Sequence, residues 1–193
     1  MKFTQIFSKE FKINTWSGGT TTQLFIFPLT ANYQHKNFNF RLSSATVEIE
    51  ESTFTLLPGV LRKLMILEGN IITNHKNHYS KQLQKFDIDT FEGSWETSSV
   101  GKCTDFNLMT TGNTSGELSL LKLVKEKIIN YQLEARWDWI FIYVIEGEFE
   151  ANIKDALHYF KKGDLLVIKD VMSSMVQITS SENSEQVIAK IKI

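Results

Sequence analysis

The sequence is poor in the residues that narrow a protein's chemistry most sharply: 193 positions hold one cysteine, two prolines and four histidines. A lone thiol, Cys103, excludes an internal disulfide framework and fits a reducing compartment, where it reads as a small apolar side chain. Lysine plus arginine (21) almost balance aspartate plus glutamate (22), so no global field draws the chain to nucleic acid or an anionic membrane. The longest apolar run, Trp139 to Ile145, is far too short for a membrane-spanning helix and reads as a buried strand. Met1 to Phe11 carries Lys2, Lys9 and Glu10 and lacks the apolar core and cleavage site of a secretion signal. A soluble, cytoplasmic protein is the expectation.

Catalytic signatures are equally scarce. There is no Gly-x-Ser-x-Gly elbow, no P-loop and no dinucleotide fingerprint. A first-row metal can be held by a His-x-His pair, a carboxylate and a distant histidine, because imidazole and carboxylate suit such ions. His35, His75, His78 and His158 form no His-x-His. The closest pair, in His75-Lys76-Asn77-His78, reads as a solvated loop in which Lys76 would repel a cation. The expectation is therefore no metal and no cofactor. Glu48, Glu50 and Glu51 form a carboxylate cluster, but alternation against Val47 and Ile49 turns Glu48 and Glu50 toward solvent.

What the chain does have is period-2 patterning. Strand-like runs recur at Gln23 to Phe27, Phe38 to Glu50, Phe54 to Leu57, Arg62 to Leu67, Asp105 to Met109, Trp137 to Ile145, Asp164 to Ile168 and Val187 to Ile193. Turn residues punctuate them at Gly18-Gly19, Pro58-Gly59, Glu68-Gly69-Asn70, Glu146-Gly147-Glu148 and Lys162-Gly163-Asp164. The line Trp137, Trp139, Phe141, Tyr143 reads as the inner face of a sandwich.

The chain also repeats itself. Leu64-Met65-Ile66-Leu67-Glu68-Gly69 resembles Ile142-Tyr143-Val144-Ile145-Glu146-Gly147, and Lys85-Phe86-Asp87 resembles Lys162-Gly163-Asp164. Gly147 follows Gly69 by 78 positions and Asp164 follows Asp87 by 77, so the two offsets agree within one residue. This predicts an all-β bicupin of two jelly-roll-like β-sandwich halves, residues 1–110 and 118–193, joined through Thr111 to Glu117. Sandwiches of this kind pair through exposed edge strands, which sets the expectation of a homodimer.

Specific motifs go further. Trp16-Ser17-Gly18-Gly19-Thr20-Thr21-Thr22-Gln23-Leu24, Phe40-Arg41-Leu42-Ser43-Ser44-Ala45, Leu57-Pro58-Gly59 with Arg62 and Leu67-Glu68-Gly69, and Asp105-Phe106-Asn107-Leu108-Met109 resemble, in order and approximate spacing, the HutD/Ves family. The likeness is densest from Trp16 to Met109. Ser17 stands in a region where the family has Asn, and Gln23 where Glu is usual. The resemblance implies a bicupin fold and an association with histidine utilisation, and it carries no settled catalytic activity.

The residues themselves suggest a pocket in the first half. Alternation puts Thr21 and Gln23 on one face with Phe25 and Phe27, and Arg41 and Ser43 with Ala45, Val47 and Ile49. Arg62 shares a face with Leu64 and Ile66, and Asp105 and Asn107 share one with Met109. Polar groups on apolar faces must find partners, and arginine cannot escape burial by losing its proton. One solution is an internal network pairing Arg41 or Arg62 with Asp105. The other is a site in which Arg41 grips a ligand carboxylate with two parallel hydrogen bonds. There Thr21, Gln23, Ser43 and Asn107 would position its polar remainder, Arg62 and Asp105 would share the cavity, and the backbone at Trp16 and Gly18-Gly19 would bring amide groups close to the ligand.

The leading expectation is thus a binding or sensing protein, not an enzyme, for a small carboxylate metabolite; by the resemblance, this is an amino-acid catabolite such as a formimino-glutamate-like compound. A metal-independent isomerase or hydrolase using Asp105 as acid or base near Arg41 is the second reading, although a neighbouring arginine opposes the raised pKa an acid needs. A structural or partner-binding module is the third.

Overall fold

Short runs of alternating apolar and polar residues, each closed by a turn, become strands in the computed structural model, which describes residues 1–154 and 156–193. In chain order these are β1 (Lys2–Ile6), β2 (Lys12–Trp16), β3 (Gly19–Phe27), β4 (Phe40–Val47), β5 (Glu51–Thr53), β6 (Val60–Gly69), β7 (Ile71–His75), β8 (Tyr79–Leu83), β9 (Ile88–Glu92) and β10 (Thr97–Val100). They continue with β11 (Cys103–Thr111), β12 (Ser115–Leu123), β13 (Ile129–Leu133), β14 (Trp139–Glu146), β15 (Glu148–Ile153), β16 (Ala156–Lys161), β17 (Leu165–Lys169), β18 (Ser174–Thr179) and β19 (Ser184–Lys192). Among the described residues the only helix is one 3-10 turn, Ser8–Glu10. No helix there is long and apolar enough to cross a membrane.

The strands fall into two compact units, Phe11–Ser115 and Met1–Glu10 with Gly116–Ile193. In the first, a six-stranded sheet of order β2-β3-β4-β11-β6-β9 lies over a four-stranded sheet, β5-β10-β7-β8, around a core of Leu64, Ile66, Ile71, Leu83, Phe91 and Cys103. In the second, a five-stranded sheet, β1-β17-β14-β19-β12, and a four-stranded sheet, β13-β18-β15-β16, enclose a core that includes Ile140, Ile142, Val144, Phe149, Phe160 and Ile178. Every strand pair with an assigned register is antiparallel.

Adding eight to each strand number converts β4-β11-β6-β9 into β12-β19-β14-β17, and β5-β10-β7-β8 into β13-β18-β15-β16. The similarity extends to single hydrogen bonds. Phe86 N donates to Ile66 O and Ile66 N to Asp87 O; correspondingly, Gly163 N donates to Val144 O and Val144 N to Asp164 O. Each aspartate also accepts from the backbone three residues earlier, Asp87 from Gln84 N and Asp164 from Lys161 N. The turn requires a left-handed residue, which is Gly163 (φ 88°) in one unit and Phe86 (φ 73°) in the other.

Several expectations change. Phe54 to Leu57 is not a strand, because β5 ends at Thr53. The β3 alternation reverses at a bulge between Gln23 and Phe25. Phe25 and Phe27 therefore pair with Leu42 and Phe40 on the face opposite Thr21 and Gln23, and both stack on the Phe40 ring. Trp139 and Phe141 stack on each other, while the alternate residues Ile140, Ile142 and Val144 enter the sandwich core with Trp137. Since β14 is buried on both faces, aromatic periodicity could not say which face was inner.

His75 is the clearest departure. It ends β7 on the inward phase set by Ile71 and Thr73 and is 1% exposed; only Lys76, Asn77 and His78 form the solvated turn. One ring nitrogen meets Asp89 Oδ2 at 2.9 Å and the other Thr97 Oγ1 at 2.9 Å. Thr73 donates to Asp89 Oδ2 (3.0 Å) and Tyr79 to Asp89 Oδ1 (2.8 Å). Burial acts to raise the Asp89 carboxyl, but bonds from His75, Tyr79 and Thr73 and the Lys81 charge outweigh it and hold the group below the usual carboxylate range.

Candidate functional site

Strand order decides which polar side chains meet. In the first unit β3, β4, β11 and β6 are consecutive neighbours, and their registers form three cross-strand rows on the inner face. The first runs Thr21, Ala45, Asp105, Ile66; the second Gln23, Ser43, Asn107, Leu64; the third Ile26, Arg41, Met109, Arg62. β2 extends the first two rows, setting Asn14 beside Thr21 and Lys12 beside Gln23. The resulting cavity has a volume of about 750 Å³ and is also lined by Ser52 to Thr55 and by Ala31 to Gln34.

All eight residues singled out from sequence line this one cavity: Trp16, Thr21, Gln23, Arg41, Ser43, Arg62, Asp105 and Asn107. Trp16 sits at the rim, 39% exposed. Gly18 and Gly19 do not line it. A side chain on Gly18 would collide with the Trp16 ring and one on Gly19 with the Thr46 carbonyl, so close packing explains both glycines.

The two arginines are held by neutral groups. Arg41 Nε donates to Gln23 Oε1 (3.0 Å) and Nη1 to Ser43 Oγ (2.8 Å), while the guanidinium lies 4.4 Å from the Tyr33 ring centre. Arg62 lies 4.8 Å from the Phe54 ring and 5.1 Å from Phe91, and its Nε has no hydrogen-bond partner among the described residues. Aromatic faces offset part of the desolvation of a guanidinium and leave its N–H edges available. Tyr33, Phe54 and Phe91 were not identified from sequence as part of the site. Tyr33 stands in a polar loop with no periodicity, and nothing in the spacing of Phe54 or Phe91 marks either as a partner of an arginine.

The expected internal network of Arg41 or Arg62 with Asp105 does not form. The charges interact, but among the described residues neither guanidinium makes an ion pair with a carboxylate, and Asp105 Oδ1 is without a hydrogen bond. Burial lowers the pKa of Arg41 and takes Arg62 down to about 10, with Tyr33 and Asp105 pulling both upward. Both remain cations at neutral pH. Burial pushes Asp105 up to about 7, against the Arg62 charge, the Asn107 amide and the Arg41 charge. The opposition expected from a neighbouring arginine is present, and desolvation exceeds it. Cys103, beside Asp105 on the same strand face, is driven up to about 12 by burial and by that carboxyl.

A metal does not fit this wall. Its charged inner residues are two arginines and one aspartate, and among the described residues no three His, Cys, Asp or Glu side chains are grouped to hold an ion. The wall presents buried, positively charged donors in a polar cavity, a chemistry complementary to an anion.

Two stacked antiparallel sheets around such a cavity define an all-β, cupin-like protein. The chain belongs to the HutD family, which it matches over residues 8–186. No curated protein sequence matches it. Among solved structures it is similar to PA5104, a conserved protein of unknown function from Pseudomonas aeruginosa PAO1, with a TM-score of 0.83 and 16% identity over 100% of both chains. It is also similar to HutD from Pseudomonas fluorescens SBW25 (TM-score 0.74, 15% identity, 99% of this chain and 98% of that one). The bacterial pirin YhhW from Escherichia coli in complex with nickel(II) follows at a TM-score of 0.72 and 11% identity, over 98% of each chain.

Proposed function

We propose that this HutD-family protein binds a small carboxylate metabolite in the cavity of its Phe11–Ser115 unit, without a metal. One observation carries the reading: two buried guanidiniums share a cavity of about 750 Å³ and, among the described residues, neither is ion-paired with a carboxylate. Buried cations without counter-ions are costly, and an anionic ligand supplies the missing charge. Arg41 and Arg62 grip the acid, Ser43 and Gln23 keep Arg41 in place, and Thr21 and Trp16 border the entrance. Family membership supports an origin in amino-acid breakdown, histidine breakdown in particular. The strand correspondence and the shared aspartate turn support descent of the two units from one duplicated cupin. Pairing of two copies along a free sheet edge belongs to the same reading and is read out by light scattering.

Native mass spectrometry of protein taken directly from cell extract, followed by calorimetry with a panel of small carboxylic acids, tests the assignment. A retained or titratable acid, lost in Arg41→Ala, is the expected result. No bound acid in either measurement would overturn it.

The carboxyl near 7 inside the same cavity favours one second reading, a metal-independent isomerase or hydrolase in which Asp105 moves a proton. Turnover of a bound acid that disappears in Asp105→Asn while binding persists would establish that activity, and binding without conversion would remove it.

A further inference from the structure

Three polar atoms in the cavity wall are buried and hydrogen-bonded to nothing among the described residues: Arg62 Nε, Asp105 Oδ1 and Asn107 Oδ1. Their residues are 5%, 4% and 6% exposed. A buried polar group left unmade is expensive, so three in one cavity describe what the cavity is built to receive. They differ in kind. Arg62, with the unused N–H groups of Arg41 in the same row, asks for an acceptor. Asp105 and Asn107 ask for donors. They stand two residues apart on β11 and therefore side by side on one face, in the rows next to the arginines.

An acid with no other polar group satisfies the first demand and leaves the second open. A hydroxyl brings one hydrogen to two oxygens. A nitrogen with two or more hydrogens can reach both, and if it is cationic it also balances the Asp105 carboxylate. Elsewhere on the wall, Gln23 Oε1 and Ser43 Oγ already accept from Arg41, so these two oxygens are the distinctive acceptors of the inner face.

We propose that Asp105 Oδ1 and Asn107 Oδ1 form an acceptor subsite for a nitrogen bearing at least two hydrogens, so that the ligand is an amino or amidino acid and not a nitrogen-free acid. This rests on the carboxylate reading of the cavity. The site then has two poles, cationic donors from β4 and β6 and anionic or neutral acceptors from β11, and it selects molecules carrying both complementary groups on one short carbon frame. Selection of this kind is strong, because the analogue lacking the N–H leaves buried oxygens unpaired.

Matched acids test it. Calorimetry compares alanine, lactate and propionate; aspartate, malate and succinate; and glutamate, 2-hydroxyglutarate and glutarate, each set differing only in amino, hydroxyl or hydrogen. In the set whose length fits, the amino member is expected to bind at least about tenfold more tightly than both counterparts. Asn107→Ala and Asp105→Ala should erase that preference, Asp105→Asn should reduce it, and melting curves confirm that each variant is folded. Equal binding of the amino, hydroxy and nitrogen-free members, all abolished by Arg41→Ala, would overturn the subsite and leave the carboxylate reading standing. No binding by any member would overturn both.

Discussion

Arg41 and Arg62 occupy a single cross-strand row with Met109 between them, two strands apart on the same face of one sheet. At about 4.8 Å per strand their backbones are separated by roughly 10 Å, close enough for two long side chains to address one small anion. Each raises the cost of the other, and burial together with the Arg41 charge is what draws Arg62 down to about 10.

Arg41→Ala should abolish acid binding while lowering stability by only about 1 to 2 kcal/mol, since it removes two hydrogen bonds and a ring contact but, among the described residues, no ion pair. Calorimetry and denaturant melts measure the two quantities. A loss of roughly 3 to 5 kcal/mol would mean that Arg41 is a structural counter-ion instead.

Gln23→Glu would put a carboxylate at the position that now accepts from Arg41 Nε at 3.0 Å. The new ion pair competes with any anionic ligand for the same guanidinium. Binding of the acid should weaken at least about tenfold with the fold intact, a change worth about 1.4 kcal/mol. Unaltered affinity would show that Arg41 does not meet the ligand's charge.

Asp105 makes stability of the ligand-free protein depend on pH in a defined direction. Its folded value, about 7, lies above its ordinary 3.8, so the native state holds the proton more tightly than the unfolded chain. Its contribution is fully present below the ordinary value and is lost as pH rises through about 7. Asp105→Asn cannot ionise. Its melting-temperature advantage over the wild type should therefore grow between these two values and level off above them, and a pH-independent difference would contradict the burial of this carboxyl beside Arg62 and Arg41.

The His75–Asp89 pair should behave in the opposite sense. With the Asp89 value lowered, its contribution is present above the ordinary carboxylate range and is lost as pH falls through the lowered value. Asp89→Ala strips His75, Thr73 and Tyr79 of their shared acceptor and should cost roughly 3 to 5 kcal/mol, read from denaturant unfolding. A neutral effect would mean that the cluster relaxes or takes in water.

Gly69 links β6 to β7 at φ 85°, where an added Cβ would press on the Lys102 carbonyl oxygen. Gly69→Ala is expected to destabilise the protein by about 2 kcal/mol or more, because backbone and not a flexible side chain blocks the space. Thermal melts of this variant against Gly59→Ala, which has a similar φ and open space around it, separate the clash from the backbone strain.

Much of the site was legible without coordinates. Alternation is a consequence of covalent geometry within a single strand, so Arg41 with Ser43, and Asp105 with Asn107, could be assigned to common faces from their spacing alone. The same signal was available for Ile71, Thr73 and His75, and the polar turn that follows masked it. What spacing cannot carry is the identity of the neighbouring strand or an inserted residue. The bulge between Gln23 and Phe25 turned two phenylalanines to the other face, and the order β3-β4-β11-β6 put Arg41 and Arg62 in one row although 21 positions separate them in sequence.

The sequence by itself determined an all-β chain, the inward polar residues of each strand and the likeness to HutD, because these depend on local periodicity and on ordered motifs. Only the tertiary structure decided that the inward residues converge, that Tyr33, Phe54 and Phe91 support the guanidiniums, and that no carboxylate among the described residues pairs with them. Those relationships depend on register and packing between segments far apart in the chain, where a shift of one residue would turn every side chain of a strand to the opposite face.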